Sequence, residues 1–214
     1  MARITAEKKV EVRTRLLEAA AQHFGQAGID GANVDAISLA AGYAKGTIYN
    51  YFPSKRALFG AVIQEASRRA AERYLEVEPG DSTRSHLLAL ARADLAVMRG
   101  EESFMKVLVR EALSFRPESY ALVMEHLGPY VVVVDAALAR GVERGEIRSD
   151  RPTPQLAVLF VGLLGLMYGQ HWGSGGLWPE LDEIPELVVA SFLDGANSRN
   201  PSQDDSHAQE DDPT

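Results

Sequence analysis

Apolar residues recur at three- and four-residue intervals along nearly the whole chain, and no segment shows the alternation expected of a half-buried strand. The pattern predicts an all-α protein. Leu16, Leu17, Ala20 and Phe24 make one stripe in a first helix from about Glu7 to Gln26, and Gly28 sits where a helix commonly ends in left-handed backbone. Asn33 is a good N-cap for a second helix, Asp35 suits its positive end, and Val34, Ile37 and Ala41 face inward. Gly42 can supply the positive φ of a tight turn into a third, short helix, about Ala44 to Tyr51, which Pro53 stops. Ser54 then caps a fourth helix reaching about Tyr74, striped by Leu58, Phe59, Val62, Ile63 and Ala66.

Pro79-Gly80-Asp81-Ser82 breaks the pattern and marks a boundary there or inside the fourth helix. Helical patterns resume at about Ser82–Met98, Glu102–Phe115, Pro117–Arg144, Pro154–Trp172 and Leu181–Asn197, the third with a kink expected near Gly128-Pro129. Leu156 to Tyr168 is apolar all round, so this helix should be buried on several sides, with Gly162, Gly165 and Gly169 allowing close helix approach. Its thirteen residues fall short of the ~18 of a membrane span, and no membrane role is expected. The tail from residue 200 to 214 is acidic, has no apolar residue larger than alanine, and should be disordered.

The second and third helices, residues 33–52, form a unit whose last part is too polar and too short for ordinary core. A helix-turn-helix with a groove-reading second helix has this pattern. Ala44, Lys45, Gly46 and Thr47 begin that element, and the small residues permit close approach to a base edge or phosphate. Its free N–H groups could meet phosphate. Lys45 can reach a guanine edge or a phosphate, Thr47 and Asn50 can read bases, the hydroxyls of Tyr49 and Tyr51 suit phosphate oxygens, and Lys55 would hold the flanking backbone. Ile48 anchors the unit from inside.

Charge qualifies this picture. The chain of 214 residues has a net charge of −8, which alone argues against a nucleic-acid ligand. Residues 1–75, however, carry eleven Lys and Arg against seven Asp and Glu, leaving −12 for the remainder. A positive end on an acidic body fits contact with phosphate at one end only. Cysteine is absent, which excludes disulfides, cysteine zinc sites and thiol catalysis. No apolar stretch follows the first charges, so no signal peptide is expected and the cytoplasm is the expected location.

Residues 15–59 resemble the TetR family of bacterial regulators. The resemblance is carried by Gly42-Tyr43-Ala44-Lys45-Gly46-Thr47-Ile48-Tyr49-Asn50-Tyr51-Phe52-Pro53-Ser54-Lys55 and by Leu58 in fixed register. Asn33 stands where Thr is usual, Tyr43 where a smaller Val is, Ala44 where Ser or Thr is frequent, and Ala57 where Glu would complete a capping box. These departures bear on which operator is read. The resemblance implies a DNA-binding domain at 10–70, with Asn33 and Tyr43 joining the contacts above. It implies a fourth helix shared with an effector-binding and dimerisation body at 76–199, whose last two helices pair with their twins. A homodimer would then read a near-palindromic double-stranded operator, as a repressor.

The body itself says less. Phe104, Met105, Leu108, Phe115, Tyr120, Met124, Tyr130, Met167 and Trp172 are candidates to line a pocket for a small apolar effector, methionines and aromatics suiting an adaptable cavity. No His pair has metal-ligand spacing, and no nucleophile elbow, P-loop or dinucleotide fingerprint is present, so neither a metal, a cofactor nor catalysis is expected. Two rivals stand beside this reading: a DNA-binding dimer without an effector, and a helical dimeric interaction protein with no DNA role.

Overall fold

A computed structural model describes residues 6–114 and 116–194; Phe115 and the acidic tail lie outside the described residues. Among the described residues the chain forms eight α-helices and no strand. They are α1 (Ala6–Gly31), α2 (Val34–Ala40), α3 (Lys55–Tyr74), α4 (Thr83–Gly100), α5 (Glu102–Ala112), α6 (Pro117–Glu143), α7 (Thr153–Gly173) and α8 (Ile184–Asp194). Single 3-10 turns lie at Thr47–Asn50 and Leu181–Glu183.

Local chemistry explains the boundaries. Gly28 breaks α1 with φ 68° and ψ 178°, and one further turn follows it to Gly31. Asn33 caps α2, its Oδ1 accepting the N–H groups of Asp35 at 2.9 Å and Ala36 at 3.1 Å. Ser54 caps α3 through the Ala57 N–H at 3.1 Å. Ser82 and Ser85 cap α4 reciprocally. The kink expected at Gly128-Pro129 does not divide α6, which runs as one helix through Pro129. The last helix starts later than its pattern, because the 3-10 turn occupies Leu181–Glu183 and Pro185 sits at the start of α8, where a missing N–H costs nothing; its expected end at Asn197 lies outside the described residues.

Leu16, Phe24, Ile37, Ile48, Leu58 and Ile63 form the fully buried centre of the N-terminal part, where Phe24 meets Phe59 edge-to-face at 5.2 Å. The same helix α3 continues inward with Ala66, Ala70 and Tyr74, and Tyr74 stacks on Tyr130 of α6 at 4.0 Å. One helix thus runs through both parts of a continuous core. It is not the sole bridge. Helix α1 also packs on α5, and a Cβ at Gly25 would lie 3.4 Å from both Lys106 Cβ and the Ser103 carbonyl. Arg110 of α5 donates to the Gln26 carbonyl at 3.1 Å, and Arg116 pairs with Asp30 at 2.7 Å.

A single chain buries only part of the surface of α7. Ala157, Phe160, Leu164 and Tyr168 are buried, but Val158, Leu159 and Leu166 stay 42–54% exposed. By length and composition α7 is apolar enough to cross a membrane. Its glycines face different surroundings within one chain. Gly162 and Gly165 line a cavity, with nothing within 4 Å of a Cβ added at either, while Gly169 abuts Leu113 of α5. The first two make room where side chains would have filled it.

Candidate functional site

The segment between α2 and α3 is held from behind. Ser38, fully buried on α2, donates its hydroxyl to the Ala44 carbonyl at 2.7 Å. Gly42 adopts φ 83°, its N–H reaching the Leu39 carbonyl at 2.9 Å, and the Tyr43 N–H reaches the Ser38 carbonyl at 3.0 Å. The helix expected over Ala44–Tyr51 is contracted to the 3-10 turn Thr47–Asn50. The cause is Gly46, whose φ of 80° is left-handed and cannot extend a right-handed helix backwards. Ala44, Lys45 and Gly46 therefore sit in the turn that leads into the element. The Thr47 N–H is spent on the Ala44 carbonyl at 3.1 Å, so it is not a free donor for phosphate.

Ile48 is buried to 1% and fixes the turn against the core, so its neighbours must project outward. Ala44, Lys45, Tyr49 and Asn50 are exposed, Tyr49 by 52%. Gly46 and Thr47 are half-buried, as are Tyr43 and Tyr51, whose rings pack on the core. Asn33 is exposed although its Oδ1 is engaged in the cap. Lys55 is half-buried and donates to the Asp30 carbonyl at 2.9 Å, tying the start of α3 to the end of α1; an ammonium keeps further N–H donors. Ser38 was not singled out from the sequence, where a serine beside Ile37 gives little signal.

In the body a cavity of about 200 Å³ opens between α3, α4, α5, α6 and α7. Met105, Leu108, Tyr120, Met124 and Tyr130 line it. Phe104, Met167 and Trp172 lie outside its walls, and Phe115 lies outside the described residues. Phe104 instead stacks under the Arg69 guanidinium at 4.4 Å. Trp172 packs on Tyr168 at 6.1 Å and beneath Lys106 at 5.4 Å.

Asp94 of α4 also lines the cavity and is only 3% exposed. It accepts a short hydrogen bond from the Tyr74 hydroxyl. The Tyr168 hydroxyl lies beside the same carboxylate without a well-aligned bond. Burial pushes the Asp94 carboxyl up to about 6, against the opposing pull of these two hydroxyls. Burial, and then the neighbouring Asp94 charge, push Tyr74 and Tyr130 well above the usual phenol range. Asp94 was missed because a lone mid-helix carboxylate reads as solvated. Its register with Leu87, Leu90, Ala91 and Met98 places it on the buried stripe of α4 and would have revealed it.

Helix α3 is also pinned where it passes the body. Arg69 bonds Glu65 at 2.8 Å and reaches Glu101 at the α4–α5 junction. The Arg68 hydrogen bond, opposed by burial and aided by Arg69, lowers Glu65 to about 2.

Comparison with known proteins bears on this arrangement. Residues 16–62 match the sequence profile described as bacterial regulatory proteins, tetR family. The HTH-type transcriptional repressor AcnR of Corynebacterium efficiens is 30% identical over 189 residues, covering 87% of this chain and 95% of that protein. The HTH-type transcriptional regulator UidR of Escherichia coli K12 is 28% identical over 160 residues, covering 73% and 78%. Among solved structures, the transcriptional regulator FadR from Bacillus subtilis in complex with stearoyl-CoA superposes with a TM-score of 0.74 at 20% identity, over 86% of this chain and 99% of that one. AibR in complex with isovaleryl coenzyme A and operator DNA gives 0.70 at 20%, over 85% and 98%. With the turn built on Gly42, Ile48 and Ser54 in place and a relative of this similarity matched nearly end to end, the chain belongs to the TetR family of bacterial regulatory proteins and is a DNA-binding transcriptional regulator.

Proposed function

We propose that the protein is a repressor that binds a near-palindromic operator as a homodimer and leaves it when a small effector occupies the cavity of the body. One observation carries the reading: buried Ile48 and the Ser38–Ala44 hydrogen bond lock a short turn from which Lys45, Tyr49 and Asn50 project into solvent. Residues 10–70 act as the DNA-binding head and the body begins near residue 76. Lys45 and Asn50 meet base edges or phosphate, Thr47 and Tyr49 flank them, and Asn33, Tyr43, Tyr51 and Lys55 support the backbone contacts. Ala44 and Gly46 keep the approach close. The apolar face left open on α7 by Val158, Leu159 and Leu166 pairs with a second copy, together with α8, because a two-fold site needs a two-fold protein.

The effector acts through α3, which lines the cavity with Ser67, Ala70 and Tyr74 and also carries Leu58 and Phe59 of the head. A ligand can shift the equilibrium only by its differential affinity for the two head spacings. A coupling of ~1–3 kcal/mol weakens operator binding roughly 5–150-fold.

Selection of bound sequences from a random duplex pool tests the reading. It should return two inverted half-sites about one helical turn apart, with affinity falling steeply as salt rises. Salt-independent binding, or no enriched sequence, would refute it.

A further inference from the structure

The cavity wall combines three features that together define a ligand. It is almost wholly apolar, with Met105, Leu108, Met124 and Val161 among its residues. Among the described residues its wall holds no lysine, arginine or histidine, and the carboxyl group it carries is that of Asp94, buried on α4. Tyr74, Tyr120 and Tyr130 present aromatic rings around that carboxylate's chamber.

A carboxylate here has given up water for the Tyr74 hydroxyl and a nearby Tyr168, and among the described residues no cation lines the chamber to balance it. In such a place an incoming positive charge is attracted more strongly than in water, whereas an incoming anion is repelled. Tyrosine faces add attraction for the same sign of charge. The volume of about 200 Å³ lies below the ~300 Å³ at which pockets for drug-sized ligands begin, so the occupant is small.

We propose that the cavity selects a small lipophilic amine, whose ammonium group pairs with Asp94 while its hydrocarbon lies against Met105, Leu108, Met124 and Val161. The proposal rests on the reading of this cavity as the effector site. It sets the sign of the head group, which separates this protein from a regulator that takes a carboxylate or an acyl thioester in the same chamber. Asp94 serves as the discriminating residue, and Tyr74 holds it in place from α3, the helix that continues into the head.

Titration calorimetry on the full chain at pH 7.5 decides the matter with four probes of equal chain length: octylamine, 1-octanol, sodium octanoate and octanoyl-CoA. Octylamine should bind at least tenfold tighter than octanol, with octanoate and octanoyl-CoA weaker again. In Asp94→Asn, octylamine should fall to the level of octanol while octanol is unchanged. If wild type takes octanol, octanoate or octanoyl-CoA as tightly as the amine, or if the amine preference survives in Asp94→Asn, the charge assignment is overturned and the cavity remains an effector site. If wild type binds none of the four, the effector reading of the cavity falls with it. The head-group comparison uses unaltered protein, so it stands even where the variant folds poorly.

Discussion

Asp94 shows how much a single side chain can hide. Its folded carboxyl sits at about 6 against an ordinary 3.8, with burial as the main cause. Between those values the folded chain holds a proton that the unfolded chain releases. This group's contribution to stability therefore falls as pH rises through that window and stays low above it. Asp94→Asn removes the charge and keeps an oxygen for Tyr74. Its expected gain at pH 7 is on the order of 2 kcal/mol, shrinking towards pH 4. Thermal melts at the two pH values check this, and a lower melting temperature at pH 7 would contradict it. On the head, Lys45→Ala and Tyr49→Ala should weaken operator binding without changing the sedimentation of the free protein, and Lys45→Ala should also reduce the salt slope if that side chain meets phosphate. Wild-type affinity in both would count against the interface. The caps and turns of the head were readable because their roles are local: Asn33, Gly42 and Ser54 answer to a few neighbours each. Asp94, Ser38 and the Lys55 link to Asp30 were not readable, because each depends on what another helix brings near.

At the scale of elements, the sequence pattern located every helix and misjudged where some end and what some face. Gly46 looked like a small residue inside a helix; its left-handed backbone instead cuts that helix to one 3-10 turn. Of the three glycines expected to allow close helix approach, Gly169 does so within one chain, while Gly162 and Gly165 leave space there. Because a Cβ at Gly162 meets nothing and its backbone is ordinary helix, Gly162→Ala should raise stability by about 0.5–1 kcal/mol, measurable by urea unfolding. A loss would mean that the site is already filled. The pinning of α3 makes a different prediction. Glu65 is held near 2 against an ordinary 4.5 by Arg68 and Arg69, so its contribution is complete above 4.5 and lost as pH falls towards 2. Over that range wild type should lose stability relative to Glu65→Gln; parallel acid curves would show that the pair is fully screened.

For the whole molecule, the all-α class followed from period alone, while the division into head and body and the pairing of the last two helices were what the resemblance implied. The same run of apolar residues suits a buried core helix or a face awaiting a partner, and the exposure of Leu159 at 54% supports the second. Leu159→Glu on α7 should convert the dimer to monomer by analytical ultracentrifugation and lower operator affinity at least tenfold while leaving each head folded. A variant that stays dimeric and binds normally would move the interface elsewhere.

Helix α5 has two working sides. Met105, Leu108 and Val109 wall the cavity, while Lys106 and Ser103 press on Gly25 and Arg110 grips the Gln26 carbonyl of α1. On the proposed reading it is a partition between ligand and head, and an occupant that bowed it outward would tilt the first helix directly. Two rods, α1 and α3, would then steer the head and set its pitch as well as its distance from its twin. Arg110→Ala should slacken one rod alone, leaving a protein that still binds both operator and ligand but whose release from DNA is blunted.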